Sequence, residues 1–292
     1  MTEKILLGKT AIITGANQGL GKEISRNFVI AGANVMLCAR SYGLLEETEQ
    51  ELNPLLCDNQ QIFIKKCDVS DQEEVNALVE ETFNKLGGCQ ILVNNAGIYG
   101  PKGTIENQNW DEWKKSIEIN LYGSVWMCRV LLPYFKKQKY GKIIQLSGGG
   151  ATNPLPNISA YATSKAAIIR FAETLAEEVR SFGIDVNAIA PGALNTKMLQ
   201  EVLDSDPEIV GIDFYEKALV QKKNGGVPLS KGAELALFLA SPASDGITGK
   251  LISALWDKWE DWAEHIDELA NSDAYTLRRI SGRERGFDWG DV

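Results

Sequence analysis

Short apolar runs alternate with longer amphipathic segments along most of this chain. The runs are rich in β-branched residues and predict strands at 10–14, 34–38, 61–65, 91–94, 142–146, 185–189 and 249–253. The segments between them carry apolar residues at helical spacing and predict helices at 20–31, 43–53, 71–86, 108–119, 123–138, 160–182 and 231–240. Strands and helices that alternate in this way favour an α/β fold, in which a single doubly wound parallel sheet carries helices on both faces.

Two regions depart from this alternation. Between residues 193 and 227, loop residues separate short helical pieces, and a long insertion of this kind is often a lid over a site. The second region follows the last predicted strand. We therefore predict one domain over residues 1–253, with the lid at about 193–227, and a C-terminal helical extension over residues 254–292.

The extension is rich in tryptophan. It holds four of the seven tryptophans, which argues against a plain solvated tail. Apolar residues at helical spacing predict a helix with one apolar stripe, formed by Leu255, Trp259, Trp262, Ile266 and Leu269. We expect this stripe to pack on its own subunit or on a neighbouring one, in preference to binding a partner protein.

A basic cluster lies further along the extension, at Arg278, Arg279, Arg283 and Arg285. These arginines can bind a phosphate or carboxylate on a substrate, or they can pair with the acidic helix of another subunit. We favour pairing, because exposed arginines are usually solvated or ion-paired.

Composition limits the kinds of function. The 292 residues include 30 basic and 39 acidic ones, and the net charge of -9 argues against a nucleic-acid surface. No apolar stretch approaches the roughly 20 residues of a membrane helix. The first residues also lack the pattern of a signal peptide, so we expect a cytoplasmic protein with no membrane partner.

Cysteine and histidine usage excludes several site types. The five cysteines are scattered and show no C-x-x-C spacing, so neither a disulfide framework nor a zinc site is indicated. His265 is the only histidine, which argues against a multi-histidine metal site and against a Ser-His-Asp relay.

A glycine-rich loop follows the first predicted strand. Residues 15–21 read Gly-Ala-Asn-Gln-Gly-Leu-Gly and open the first predicted helix. Glycines at such a junction permit a tight turn and let the backbone approach a pyrophosphate, whose charge then lies at the helix N-terminus. This position between strand and helix indicates a Rossmann-type dinucleotide site.

Tyr161 and Lys165 lie four residues apart on the predicted helix 160–182, so their side chains share a face. A lysine ammonium near a phenol favours the tyrosinate and lowers the pKa of the phenol, which makes it usable as an acid or base. The same spacing also occurs by chance on solvated helix faces, so the pair needs support from the rest of the chain.

Five motifs in a fixed order supply that support. They are Thr14-Gly15-x-x-x-Gly19-x-Gly21, Asn94-Asn95-Ala96-Gly97, Asn120, Tyr161-x-x-x-Lys165 and Pro191-Gly192. Their order and intervals resemble those of the short-chain dehydrogenase/reductase family. The resemblance covers roughly residues 5–252, and the tryptophan-rich extension is atypical of the family.

The resemblance implies that residues 1–253 bind a nicotinamide dinucleotide. Asp68 would accept a hydrogen bond from the adenine amino group, Lys165 would hold the nicotinamide ribose, and Thr196 would bind the carboxamide. Asn94 would tie neighbouring strands together. The full implied cofactor site is Gly15, Asn17, Gln18, Gly19, Leu20, Gly21, Arg40, Asp68, Val69, Asn95, Ala96, Gly97, Tyr161, Lys165, Pro191, Gly192 and Thr196.

The implied chemistry is hydride transfer between nicotinamide C4 and a carbonyl carbon, with no metal ion required. Tyr161 would exchange a proton with the substrate oxygen. Asn120 would bend a helix and hold a water of the proton relay behind Lys165.

One position departs from the family pattern. The family serine that binds the substrate oxygen lies about thirteen residues before the tyrosine, and this chain has Gly148 there. Ser147 is one residue early, and a one-residue offset in a strand points a side chain to the opposite face. Either a bulge brings Ser147 into the site, which we favour, or backbone amides and another hydroxyl bind the oxygen.

Cofactor choice depends on the end of the second predicted strand. An acidic residue there binds the ribose 2'-hydroxyl of NAD, whereas an arginine can pair with the 2'-phosphate of NADP. This chain has Ala39 at the acidic position, followed by Arg40. We therefore expect NADP(H) to be preferred, with NAD(H) possible.

We predict an NADP(H)-preferring carbonyl reductase or alcohol dehydrogenase that acts on a small molecule. The family resemblance implies a homodimer or homotetramer. Two alternatives stay open: an NAD-linked sugar or polyol dehydrogenase, and a nucleotide-sensing interaction protein without catalysis.

Overall fold

The computed structural model describes residues 4–57 and 59–289, which form one seven-stranded parallel sheet in the order β3-β2-β1-β4-β5-β6-β7. The strands are β1 (Thr10–Thr14), β2 (Asn34–Ala39), β3 (Ile62–Lys66), β4 (Ile91–Asn94), β5 (Gly141–Leu146), β6 (Ile184–Ala190) and β7 (Leu251–Ser253). The sheet confirms the predicted fold class. The strand order reverses between β1 and β4, which is where ligands bind in sheets of this kind.

Helices cover both faces of the sheet. In the described residues they are α1 (Gly19–Ile30), α2 (Tyr42–Leu52), α3 (Gln72–Leu86), α4 (Trp110–Ile117), α5 (Gly123–Gln138), α6 (Ser159–Val179), α7 (Lys197–Leu203), α8 (Pro207–Val210), α9 (Ile212–Asn224), α10 (Leu229–Ala240) and α11 (Ile266–Ala270). None of these helices combines the length and apolarity needed to cross a membrane.

Alternation along the strands produces two separate apolar cores. Successive side chains of a strand point to opposite faces, so neighbouring residues such as Ile12 and Ile13 of β1 belong to different clusters. The Ile13 cluster includes buried residues of α1, α2 and α10, and the Ile12 cluster includes buried residues of α3, α5 and α6. The central strands are therefore buried on both sides.

The region 193–227 forms the three short helices α7, α8 and α9. They share a small core of their own, the lid cluster, formed by Leu199, Val202, Val210 and Ala218. An isolated bridge between Leu194 and Val227 joins the two ends of the region. These segments therefore form a compact unit, although their part in substrate binding stays a prediction.

The extension packs on its own chain, but it does not form the single predicted helix. A 3₁₀ segment, Trp259–Glu264, is separated from α11 by His265. Trp259, Trp262 and Leu269 are buried with the α1 and α10 residues. Leu255, by contrast, is 42% exposed, because the chain around it is not helical and the predicted stripe does not reach it.

The middle of the extension, residues 272–277, is tied to α6 and to the start of β7. The backbone N–H of Leu251 donates to the carbonyl of Tyr275 at 2.8 Å, on the open side of β7. Lys250 Nζ donates to the carbonyls of Ser272 and Ala274, both at 3.0 Å. The Leu277 N–H donates to Glu173 Oε1 at 2.6 Å.

The basic cluster also finds a partner within its own extension. Arg278 forms ion pairs with Asp273 and Glu284. Arg278 therefore has local carboxylate partners, and pairing of the cluster with another subunit stays a prediction. These groups are exposed, and such pairs contribute little to stability.

Two tryptophans of the extension provide a matched stability test. Trp259 is 7% exposed and its ring centroid lies 5.4 Å from that of Phe238, whereas Trp256 is 82% exposed. We expect Trp259→Ala to lower the free energy of unfolding by about 3–5 kcal/mol through lost burial and a cavity. Trp256→Ala should change it by no more than about 0.5 kcal/mol. Urea denaturation measures both, and equal losses would contradict the described packing.

Candidate active site

The carboxyl ends of β1, β4, β5 and β6 border one cleft of about 1060 Å³. Parallel strands bring the loops that follow them to the same edge of the sheet, so motifs distant in sequence meet there. All the predicted site residues line this cleft except Gly21 and Asn120, which lie behind the lining. The roles assigned to these residues stay predictions.

Asn95 fixes the glycine loop to the sheet. Its side-chain amide donates to the carbonyls of Thr14 and Gly15 at 3.0 and 3.1 Å. Gly21 packs on the same amide so closely that an added Cβ would lie 2.4 Å from Asn95 Nδ2 and 2.3 Å from the Gly15 carbonyl oxygen. Only glycine fits at residue 21 without displacing the loop.

Asn94 has a different partner from the one expected. Its amide donates to the Ser124 carbonyl at 3.2 Å, so it joins β4 to α5 and does not tie two strands together. The tie to β1 comes from Asn95 and from the Thr14 hydroxyl, which accepts the backbone N–H groups of Asn95 and Ala96 at 3.0 Å. The expected role of Asn94 is wrong because its side chain points to the helix layer.

The start of α1 fits the diphosphate of a dinucleotide. Gln18 occupies the cap position without a side-chain hydrogen bond to the helix, so the first amides of α1 keep their donor capacity toward the cleft. Gly19 has φ +55°, and an added Cβ would lie 3.4 Å from Thr196 Cγ2. Because Gly19 has no side chain, a pyrophosphate can approach the backbone of this turn closely.

Arg40 and Asp68 line the cleft near the ends of β2 and β3. Partial burial acts to raise the pKa of Asp68, but hydrogen bonds from Ser70 and the charges of Lys115 and Arg40 outweigh it and hold this pKa below its ordinary value. Ser70 donates to Asp68 Oδ1 through its hydroxyl at 2.6 Å and through its N–H at 3.0 Å. Asp68 is therefore a carboxylate at neutral pH and can accept a further hydrogen bond.

Tyr161 and Lys165 are both buried on α6 and line the cleft together, as the helical spacing predicts. Lys165 Nζ donates to the Leu146 carbonyl at 2.7 Å and lies 5.7 Å from the centre of the Tyr161 ring. The predicted lowering of the tyrosine pKa is not found. Burial raises the pKa of Tyr161 well above its ordinary value, and the neighbouring Tyr99 adds to the rise.

Asn120 lies in a π-helical turn, Glu118–Tyr122, between α4 and α5, which agrees with the predicted irregularity in this helix. Its amide donates to the Ile98 carbonyl at 2.8 Å and to Ser164 Oγ at 3.0 Å. Its oxygen accepts the Ile98 N–H at 2.8 Å. A Cβ on Gly97 would lie 3.2 Å from this oxygen and 3.5 Å from Lys165 Nζ, so Asn120 and the lysine are neighbours.

Gly148 packs directly against the phenol of Tyr161. A Cβ on Gly148 would lie 2.1 Å from Tyr161 Oη, so the phenol occupies the space where the family serine would stand. Ser147 borders the cleft, and its Oγ is buried without a hydrogen-bond partner. The backbone N–H of Ser147 still pairs with the Ile189 carbonyl at 2.9 Å, so strand pairing continues through this residue.

Tyr99 was missed by the sequence reasoning. It follows the Asn94–Gly97 motif by two residues and lines the cleft beside Tyr161. The available signal is an aromatic residue in a loop at the carboxyl end of a central strand, where side chains reach the site.

The buried lysine generates a pH-dependent prediction. Burial lowers the pKa of Lys165 from 10.5 to about 8. Below pH 8 the lysine is charged in both the folded and unfolded states, and folding bears the full cost of burying the charge, about 3 kcal/mol. Between pH 8 and 10.5 the unfolded chain binds more protons, so the stability contributed by this group rises with pH.

We therefore expect Lys165→Met to stabilise the protein at pH 7 by up to about 3 kcal/mol. The advantage over wild type should shrink at pH 10, and urea denaturation at the two pH values measures it. Lys231→Met, at an exposed position of α10, is the control. It should change the free energy of unfolding by the same small amount at pH 7 and at pH 10. A destabilised Lys165→Met at pH 7 would show that burial is not the dominant effect.

Comparison with known proteins identifies the family. The family model for short chain dehydrogenases matches residues 9–207. The 7alpha-hydroxysteroid dehydrogenase of Escherichia coli (strain K12) is 33% identical over 249 residues, covering 84% of this chain and 92% of that enzyme. The L-fucose dehydrogenase of Oryctolagus cuniculus is 34% identical over 241 residues, covering 81% of this chain and 80% of that enzyme.

A solved structure supports the same assignment. It is a 7α-hydroxysteroid dehydrogenase complexed with NADH and 7-oxo glycochenodeoxycholic acid, with a TM-score of 0.75 and 31% identity over 86% of this chain and 94% of that one. The chain therefore belongs to the short-chain dehydrogenase family, as an oxidoreductase that acts on an alcohol or carbonyl group with a nicotinamide cofactor.

Proposed function

We propose that this enzyme interconverts a ketone and a secondary alcohol with Tyr161 as the general acid and base, and that it prefers NADP(H). The observation that carries the proposal is that Tyr161 and Lys165 line one cleft together with the uncapped start of α1. A proton-exchanging group and a dinucleotide cradle at one site are what carbonyl reduction requires.

The proton states of the two residues suit reduction. The hydride for the carbonyl carbon would come from a bound nicotinamide. The raised pKa of Tyr161 keeps its phenol protonated at neutral pH, so the phenol can give its proton to the carbonyl oxygen as the alcohol forms. Lys165 is held at the Leu146 carbonyl, where its remaining N–H groups can bind the nicotinamide ribose. Asn120, a neighbour of Lys165, would hold a water of the relay through which the phenol regains a proton.

Ser147 is our candidate for the group that binds the substrate oxygen beside Tyr161. Its hydroxyl is buried without a partner at the edge of the cleft, and a buried hydroxyl of this kind gains most from a ligand contact. Gly148 cannot take this role, because it has no side chain and the phenol occupies its place.

The lining of the cleft favours an apolar substrate. Apolar side chains from the lid and from two other loops border it, namely Tyr99, Leu155, Met198, Leu199, Val202 and Phe214. Lys197 and Lys217 lie at the same lining and suit a substrate with an anionic group. An apolar ring ketone with a carboxylate is therefore our first candidate. A sugar or polyol is the second, because L-fucose dehydrogenase is among the relatives.

The oligomeric state and the location in the cell stay predictions from the sequence. A homodimer or homotetramer is the arrangement that the family resemblance favours.

Removal of the phenol hydroxyl tests the reaction. We expect Tyr161→Phe to lower kcat by about 10²–10⁴-fold, because the proton donor is lost. The Kd for NADPH, measured by fluorescence, should change little. The assay follows nicotinamide absorbance with carboxylated and neutral steroid ketones and with sugars. Tyr134→Phe, on α5 against Phe83, is the control. Turnover that persists in Tyr161→Phe would disprove the assigned acid.

Arg40 tests the cofactor preference. It is exposed at the end of β2 and lines the cleft beside Ala39, so no carboxylate from residue 39 opposes a 2'-phosphate. We expect Arg40→Ser to weaken NADPH binding by about 10–100-fold, as for the loss of one charged hydrogen bond. NADH binding should be nearly unchanged. Arg26→Ser, at an exposed site on α1, is the charge-matched control. Wild-type enzyme that binds NADH more tightly than NADPH would contradict the preference.

A further inference from the structure

Tyr99 contacts both Tyr161 and the lid. Its ring centroid is 4.7 Å from that of Tyr161, and the two ring planes meet at 64°. The same side chain packs against the lid cluster. Edge-to-face contact is a geometry that aromatic pairs favour, so a single side chain joins the lid to the proton-exchanging residue.

A second contact limits the hydroxyl end of Tyr161. An added Cβ on Gly148 would lie 2.1 Å from Oη and 3.1 Å from Cζ, so the phenol rests directly on the backbone of this loop. Gly148 therefore limits the positions open to the hydroxyl, and Tyr99 limits those open to the ring. Lys165 stands to one side, held by the Leu146 carbonyl and 5.7 Å from the ring centre.

We propose that Tyr99 is a positioning residue that holds the Tyr161 phenol against Gly148 and couples its position to the packing of the lid. The inference rests on the proposed function, in which Tyr161 exchanges the proton. In this proposal the Tyr161 hydroxyl occupies the space above Gly148 that a serine side chain would fill. Tyr99, from the loop after β4, keeps the hydroxyl in that space.

Two simpler roles for Tyr99 give different results. A residue that only forms a wall for the substrate changes KM and leaves kcat in place. A residue that only fills space changes stability and leaves kcat in place. A positioning residue changes kcat, because a displacement of about 1 Å in a reacting group can cost about 100-fold in rate.

The kinetic experiment compares Tyr99→Leu with Tyr99→Phe. We expect Tyr99→Leu to lower kcat by about 10–100-fold with a smaller change in KM, and Tyr99→Phe to recover most of the loss, because it keeps the ring. Tyr134→Leu, whose ring packs on Phe83, is the control for loss of a tyrosine ring.

A second experiment does not depend on turnover. Gly148→Ala forces the phenol to move, whereas Gly149→Ala meets no atom within 4 Å. If Tyr99 holds the phenol in place, Gly148→Ala should destabilise the protein less in the Tyr99→Leu background than in wild type. The effects of the two substitutions on the free energy of unfolding are then non-additive in a double-mutant cycle. The matching cycle with Gly149→Ala should be additive.

The outcomes separate the two proposals. An additive Gly148 cycle, or a Tyr99→Leu variant with unchanged kcat, overturns the positioning role and leaves the proposed function standing when Tyr161→Phe is inactive. Turnover that persists in Tyr161→Phe overturns the proposed function, and the unfolding cycle then still decides whether Tyr99 holds the phenol on Gly148.

Discussion

The hydrogen bonds from the Asn95 amide to the carbonyls of Thr14 and Gly15 are the junction on which the cleft depends. They bind the loop after β1 to the loop after β4, at the place where the strand order reverses. The lack of a side chain at Gly21 lets the start of α1 pack onto the same amide. With these three segments fixed, the first amides of α1 face the cleft at a defined distance from the ends of β4 and β5.

Burial dominates the electrostatics of this cleft. Tyr161 and Lys165 are both nearly inaccessible, and burial moves both pKa values toward the neutral forms of the side chains. The site thus holds a protonated phenol and a lysine that loses its charge more readily than usual. Burial of the Lys165 charge opposes folding, so the site holds this group at a cost in stability.

The regular part of the fold follows from sequence patterns, because strand and helix periodicities are local. The motifs also place most of the cleft lining, since loops after parallel strands must meet at one edge. Side-chain partners are harder to predict. Nothing local distinguishes Asn94, which bonds to α5, from Asn95, which bonds to β1. The contact of Tyr161 with Gly148 and the break in the predicted tail helix at His265 depend on tertiary packing, which spacing alone does not encode.

The bond from the Leu251 N–H to the Tyr275 carbonyl has a consequence beyond the fold of one chain. β7 is the last strand of the sheet, and an open edge strand offers its unpaired backbone groups to the strands of other molecules. Here the chain covers the Leu251 donor with its own extension. At this donor the extension therefore takes the position that a strand of another molecule would otherwise use.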